Sequence, residues 1–167
     1  MILILFGVSG AGKTEVGKRV AKRLDWRFLD ADDHHPVENV AKMRDGVPLD
    51  DLDRVPWLAR LNIVLRDIAG SGENAVLACS ALKRAYRRTL TEGVPESRLV
   101  YLRVERSELE RRLRERTGHF MPGSLLESQL ETFEEPAEEE NAWVIESAGG
   151  VEDTAEEVVE RTRRREA

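Results

Sequence analysis

Residues 7–14 are the most informative part of the chain, and they read Gly7-Val8-Ser9-Gly10-Ala11-Gly12-Lys13-Thr14. They match G-x-x-x-x-G-K-[ST] at every fixed position, which is the pattern of a phosphate-binding loop. Glycines let such a backbone turn tightly and bring its N–H groups close to phosphate oxygens. Lys13 is the residue type that reaches the β- and γ-phosphates, and Thr14 is the type that ligates Mg²⁺. We therefore predict a nucleoside triphosphate site, although the motif alone does not separate kinases, GTPases and ATPases.

The sequence around this loop predicts an α/β fold. Apolar runs alternate with amphipathic stretches, which is typical of a parallel sheet covered by helices. The predicted strands are Ile2–Phe6, Arg27–Asp30, Ala75–Cys79, Leu99–Val104 and Trp143–Glu146. The predicted helices are Lys13–Leu24, Asn39–Asp45, Leu52–Ala69, Ala81–Thr91, Ser107–Arg116, Leu125–Phe133 and Val151–Arg164. Ser80 is the expected N-cap of the fourth helix, and Pro56 marks either the first turn of the third helix or a break in it.

Composition narrows the class of protein. The 167 residues suit a single domain spanning 1–167. The contents of 41% hydrophobic and 35% charged residues are those of a globular protein, and the net charge of −6 argues against binding nucleic acid through the overall field. The single cysteine, Cys79, excludes an internal disulfide. No stretch reaches the roughly 20 apolar residues of a membrane span. We expect a cytoplasmic protein with a small-molecule substrate.

A group of carboxylates follows the second predicted strand. Asp30, Asp32 and Asp33 are expected beside the phosphate-binding loop, because ligands of parallel sheets sit at the carboxyl ends of the strands. The chain has no N-K-x-D tetrapeptide of a GTPase, and neither the third nor the fourth predicted strand ends in the usual metal-binding Asp. We predict that Asp30 shares Mg²⁺ with Thr14 and that Asp32 takes a proton from an attacking hydroxyl. The alternative is a solvated turn or a helix N-cap ahead of Pro36, and it is strongest for Asp33.

Further segments extend this pattern along the chain. They are Asp30–Met43, Gly46–Leu58, Ala78–Arg87 and Gly118–Pro122, with Gln129–Pro136 downstream. Together with the phosphate-binding loop, these blocks resemble the bacterial-type gluconokinases, in order and at similar spacing, over residues 3–136. The related shikimate kinases share the loop and the Asp-x-Asp, but not the His-Pro, Pro-Trp-Leu or Ser-Ala-Leu-Lys segments. Glu15 and His34 depart from the family pattern.

The resemblance implies a three-layer α/β/α P-loop kinase fold. Its sheet would have five parallel strands in the order 2-3-1-4-5, with a mobile lid at about 116–136. The implied reaction is ATP-dependent phosphorylation of D-gluconate on its 6-hydroxyl, giving 6-phosphogluconate with the help of Mg²⁺, and a homodimer is also suggested. Two alternatives stay open. One is a kinase for another small polyol acid such as shikimate, and the other is a nucleotide-binding regulatory module without turnover.

The matched blocks supply candidate residues for substrate and lid. A sugar acid needs a cation for its carboxylate and hydrogen-bond partners for its hydroxyls. The substrate-binding candidates are Asp32, His35, Arg54, Lys83, Tyr86, Arg87 and His119, with surface exposure as the alternative for the cations and a turn-stabilising histidine for His35. At the start of the lid, Arg116 is assigned to charge in the transition state, and Arg112, on the preceding helix, is assigned to adenine stacking or phosphate contact. The glutamates within residues 134–140 are interpreted as a solvated face.

Overall fold

The computed structural model describes residues 1–115 and 123–166. Its strands are β1 (Ile2–Phe6), β2 (Arg27–Asp30), β3 (Ala75–Ala78), β4 (Ser97–Arg103) and β5 (Trp143–Glu146). They form one parallel sheet in the order β2-β3-β1-β4-β5, so the predicted strands and their order are confirmed. The phosphate-binding loop and the Asp30 segment follow β1 and β2, at the carboxyl edge of this sheet.

The helices alternate with these strands. They are α1 (Lys13–Leu24), α2 (Val37–Arg44), α3 (Asp51–Gly70), α4 (Arg84–Thr91), α5 (Arg106–Glu115), α6 (Gly123–Thr132) and α7 (Val151–Glu166). One-turn 3-10 helices lie at Ala31–His34 and Glu138–Glu140. Pro56 lies inside α3, beyond its first turn, and the helix continues through it, so neither predicted position for this proline was right. No helix in residues 1–115 or 123–166 is long and apolar enough to span a membrane.

The helices cover both faces of the sheet, which makes three layers. One core joins Ile2, Ile4 and Phe6 of β1 to apolar side chains of α3 and α4. A second core joins Leu3 and Leu5 of the same strand to apolar side chains of α1 and α7. Because successive side chains of a strand point to opposite faces, a strand between two helical layers must be apolar at every position. This requirement explains the unbroken apolar run at 2–6.

The fourth helix begins later than its sequence predicts. It starts at Arg84 rather than Ala81, and Lys83, not Ser80, is its N-cap. Ala81 has a φ of 41°, in the left-handed region that interrupts a right-handed helix. Residues 80–83 therefore form a loop at the end of β3. The loop places Lys83 ahead of the helix instead of on its surface.

Candidate active site

The phosphate-binding loop adopts a conformation that depends on glycine. Gly10 and Gly12 have φ angles of 87° and 91°, which side chains with a Cβ rarely adopt. Helix α1 starts immediately afterwards at Lys13, so its N-terminus directs partial positive charge into the loop. The Lys13 Nζ atom donates to the carbonyl oxygen of Val8 at 3.0 Å. The loop thus has the backbone and the cation of an anion cradle.

The two residues predicted to share a metal lie together. The Thr14 hydroxyl donates to Asp30 Oδ2 at 2.9 Å, and the backbone N–H of Asp32 donates to Asp30 Oδ1 at 3.1 Å. The first contact joins the start of α1 to the end of β2, and the second is the N-cap of the 3-10 helix at Ala31–His34. Hydroxyl and carboxylate oxygens are the donors that Mg²⁺ prefers, and Mg²⁺ commonly takes only one or two protein ligands beside substrate phosphates. These residues therefore fit the ion in chemistry and in number.

Asp32 lines a cleft together with Lys13, Thr14 and Asp30. Its side chain is 87% exposed. Partial desolvation by the neighbouring protein, followed by the nearby Asp30 carboxylate, raises the pKa of Asp32, while His35 and Lys13 act in the opposite direction. The Nε2 atom of His35 lies 3.8 Å from Asp32 Oδ1. A carboxylate with a raised pKa beside a phosphate site has the chemistry of a proton acceptor.

A cleft of about 690 Å³ joins these groups. Its lining includes Lys13, Thr14, Asp30 and Asp32 on one side and Arg112 of α5 on the other. The volume lies within the range of small-molecule sites. The Arg112 side chain donates to the Gly10 carbonyl at 3.3 Å and to Glu108 at 2.7 Å, so it reaches the phosphate-binding loop. Arg116 and His119 lie outside the described residues.

A second polar group brings together three of the predicted substrate residues. Lys83 Nζ lies 2.9 and 2.8 Å from the two carboxylate oxygens of Asp51, and the Tyr86 hydroxyl donates to the same carboxylate. The Arg54 guanidinium lies 5.8 Å from the centre of the Tyr86 ring. Hydrogen bonds from Lys83 and then Tyr86 lower the pKa of Asp51. Asp51 was not among the predicted residues, because nothing in its local sequence marks an acid at a helix start as more than a helix-capping residue.

The predicted role of Arg87 in substrate binding is wrong. Its side chain is 0% exposed and stacks over the Phe6 ring at 4.8 Å. Its guanidinium donates to both carboxylate oxygens of Glu140, at 2.7 and 3.0 Å, and to the carbonyls of Ala81 and Leu82, both at 3.1 Å. These bonds use most of its five N–H donors on the protein itself. The placement contradicts substrate binding by Arg87, and it also contradicts the solvated face predicted for Glu140.

Gln129 of α6 contacts the phosphate-binding loop at Ser9, which the sequence did not predict. Its Oε1 accepts from the backbone N–H of Ser9 at 2.7 Å, and its Nε2 donates to the Ser9 hydroxyl at 3.0 Å. Farther along, the N–H of Glu134 donates to the Leu82 carbonyl at 2.9 Å. The C-terminal part of the predicted lid segment is therefore bonded to the phosphate-binding loop and to the loop that carries Lys83. Gln129 lies in one of the matched blocks, which is the only signal that marked it.

Comparison with known proteins agrees with this geometry. Residues 2–136 match a family model described as an AAA domain. The chain is 49% identical to a gluconokinase of Gluconobacter oxydans, over 83% of this chain and 78% of that protein. It is also 49% identical to a probable gluconokinase of Xenopus tropicalis, over 82% of this chain and 80% of that protein. A crystal structure of a gluconokinase from Sinorhizobium meliloti has 38% identity and a TM-score of 0.81, covering 99% of this chain and 97% of that one. The chain belongs to the gluconokinase family of P-loop kinases.

Proposed function

We propose that this protein transfers the γ-phosphoryl group of ATP to the 6-hydroxyl of D-gluconate, with Mg²⁺, to give 6-phosphogluconate. The observation that carries the proposal is the juxtaposition of Asp32 with the phosphate-binding loop and the Thr14–Asp30 pair. This arrangement supports Asp32 as the proton acceptor in phosphoryl transfer. The gluconokinases at 49% identity support gluconate as the acceptor.

The nucleotide half of the site needs few groups. ATP supplies the phosphoryl group, and Mg²⁺ neutralises charge on its phosphates. The loop N–H groups and Lys13 hold the β- and γ-phosphates, while Thr14 and Asp30 would hold the ion. Arg112, which already contacts the loop at Gly10, adds positive charge to the lining of the cleft. Arg116, outside the described residues, remains our proposal for a further arginine at the transferring group.

The acceptor half combines an acid with a cationic group. Asp32 accepts the proton of the 6-hydroxyl as its oxygen attacks the γ-phosphorus. Arg54 and Lys83 hold the carboxylate of gluconate at the other end of the molecule, and Asp51, His35 and Tyr86 meet its hydroxyls. Arg54 is close enough to His35 to act on it electrostatically, which supports assigning the cationic group and the Asp32–His35 pair to one substrate site. A straight-chain acid with a charge at one end and a hydroxyl at the other fits such a site.

A substrate panel tests the proposed function. ADP production would be followed in a coupled assay with ATP, Mg²⁺ and, in turn, D-gluconate, shikimate and no acceptor. We expect the highest kcat/KM with gluconate and only slow ATP hydrolysis without an acceptor. A higher kcat/KM with shikimate would replace gluconate by that acid. Nucleotide binding without turnover of any acceptor would favour the regulatory module.

Removing the Gln129 side chain tests whether α6 supports ATP binding. Gln129→Leu deletes both bonds to Ser9, each worth about 0.5–1.5 kcal/mol. The ordering of Ser9 would then have to accompany ATP binding, so we expect KM for ATP to rise roughly 3- to 30-fold. Steady-state kinetics at saturating gluconate would measure the change.

Ser9→Ala is the control variant, because it removes one of the two hydrogen bonds that Gln129→Leu removes. It removes the hydroxyl that accepts from Gln129 but keeps the backbone N–H that donates to Oε1. We therefore expect KM for ATP to rise less than in Gln129→Leu. A fall in KM for ATP in Gln129→Leu would show the opposite relation, in which Gln129 competes with a phosphate for the Ser9 N–H.

A further inference from the structure

The His35 ring is held rigidly beside Asp32. Its side chain is 5% exposed, and its ring stacks on Trp57 with 4.2 Å between centroids and 14° between planes. Trp57 is itself fixed, because its Nε1 donates to the Ala31 carbonyl at 2.8 Å. The plane of the imidazole is therefore set by the protein. What remains open from packing alone is which ring nitrogen carries the proton.

Asn39 settles that question through its own hydrogen bonds. Asn39 is 3% exposed, and its Nδ2 lies 2.9 Å from the carbonyl oxygen of Asp53. A carbonyl only accepts, so the amide nitrogen and not the amide oxygen must face it. The same Nδ2 lies 3.3 Å from His35 Nδ1. Since an amide nitrogen only donates, Nδ1 has to accept, and a neutral imidazole then carries its proton on Nε2.

The carbonyl that orients Asn39 is fixed as well. Asp53 belongs to the first turn of α3, where its N–H donates to Asp50 Oδ1 at 2.8 Å and its side chain accepts from the Asp50 N–H at 3.0 Å. Lys42 adds two bonds to the same carboxylate, at 2.7 and 2.9 Å. This capping box and ion pair hold the start of α3 against α2. The direction of the Asn39 amide is thereby imposed by the fold.

We propose that Asn39 is a positioning residue, which holds His35 as the Nε2–H tautomer so that this N–H points at the carboxylate of Asp32. Nε2 lies 3.8 Å from Asp32 Oδ1, longer than a hydrogen bond, so the N–H orients the carboxylate electrostatically until the acceptor hydroxyl enters between them. Burial lowers the pKa of His35 and outweighs the opposing effect of Asp32, and the lowered pKa favours the neutral ring. The catalytic part of this proposal rests on the proposed function, whereas the tautomer does not.

Nitrogen NMR on the unmodified protein tests the tautomer directly. Long-range ¹H–¹⁵N spectra distinguish a protonated from an unprotonated ring nitrogen. The chain has three histidines, so a spectrum of His35→Gln assigns the signals of His35. We expect an unprotonated Nδ1 and a protonated Nε2 at neutral pH. A proton on Nδ1, or on both nitrogens, would overturn the proposal whether or not the protein phosphorylates gluconate.

Asn39→Asp tests the positioning role. The isosteric carboxylate accepts instead of donating, so it draws the proton to Nδ1 and turns the Nε2 lone pair towards Asp32. We expect a reversed pair of nitrogen signals and a kcat lower by roughly tenfold or more, with KM for ATP unchanged. If the signals reverse and kcat with gluconate stays at the wild-type value, Asn39 has no positioning role. If wild-type protein does not turn over gluconate, the proposed function fails while the spectra still decide the tautomer.

Two further variants separate this effect from loss of stability. Asn62 also donates its amide to two carbonyls, those of Leu90 and Glu92, at 3.2 and 2.8 Å. Asn62→Asp therefore makes the same chemical change away from any histidine, and it should leave the His35 signals and kcat unchanged. Should Asn39→Asp not fold, Asn39→Ala removes both bonds without adding charge. It should give a mixture of the two tautomers and a smaller loss of kcat. A pure Nε2–H signal in that variant would refute the claim that Asn39 determines the tautomer of His35.

Discussion

Asp32→Asn is expected to lower kcat by roughly 10²-fold or more. The amide cannot take the proton of the attacking hydroxyl, and the catalytic contribution of a positioned base is therefore lost. Affinity for ATP should change little, because the bond of residue 32 to Asp30 comes from its backbone N–H and survives the substitution. Coupled kinetics would give kcat, and titration with ATP in the absence of gluconate would give the affinity.

Asp33→Asn is the matched control for this experiment. It removes the same charge from the adjacent, exposed residue. We expect turnover close to wild type. An equal loss in both variants would mean that total charge near the phosphates matters, and not a base at position 32. Unchanged turnover in Asp32→Asn would remove Asp32 from the chemistry.

Arg87→Met is expected to destabilise the protein by about 3–5 kcal/mol. The substitution leaves the carboxylate of Glu140, which is 10% exposed, without its bidentate partner, and it frees the carbonyls of Ala81 and Leu82. An uncompensated charge in a buried position is far more costly than a lost surface contact. Urea unfolding at neutral pH would measure the change in the free energy of unfolding.

Arg84→Met supplies the comparison from the same helix. Arg84 pairs with Glu139, but both side chains are largely exposed, and pairs of this kind contribute little. We expect a much smaller loss of stability than in Arg87→Met. If the two variants unfolded alike and Arg87→Met instead raised KM for gluconate, Arg87 would be the substrate ligand that the sequence suggested.

The Arg87–Glu140 pair also gives stability a dependence on pH. Burial alone would raise the pKa of Glu140, but the bonds from Arg87 and from the Ala137 N–H outweigh it and leave that pKa lowered. A lowered pKa in the folded state means that this contribution is present above the pKa of the unfolded chain. The contribution is lost as the pH falls through the lower, folded value. Arg87→Met should therefore reduce the difference in stability between neutral and acidic pH.

Local patterns predicted the strands of the sheet and the glycine-dependent turn of the phosphate-binding loop well. The apolar run at β1 and the glycine spacing in residues 7–14 reflect requirements within a few residues of each other. The Thr14–Asp30 contact was predictable because parallel strands end at one edge of a sheet. Each of these inferences needs only the chain order of the elements and a general rule of geometry.

Contacts between distant segments were not predictable in the same way. Lys83 and Arg87 are four residues apart and would share one face of the helix predicted from Ala81, but Ala81 delays the helix and Arg87 turns inward to meet Glu140. The partners of Gln129 and Asn39 likewise lie on other elements. Their chemistry depends on which acceptor faces each amide nitrogen, and no spacing in the sequence encodes that direction.

The position of β1 between β3 and β4 has a consequence for synthesis of the protein. Ile2 belongs to a strand that is synthesised before its partners, and it pairs with Ala75 on one side and Ser97 on the other. The nascent chain thus cannot pair both sides of β1 until β4 has emerged, and the apolar β1 has to wait for partners made much later. Such non-local pairing slows folding and exposes the early strand to chaperones. Acquisition of ATP binding would accordingly mark a late stage of cotranslational folding.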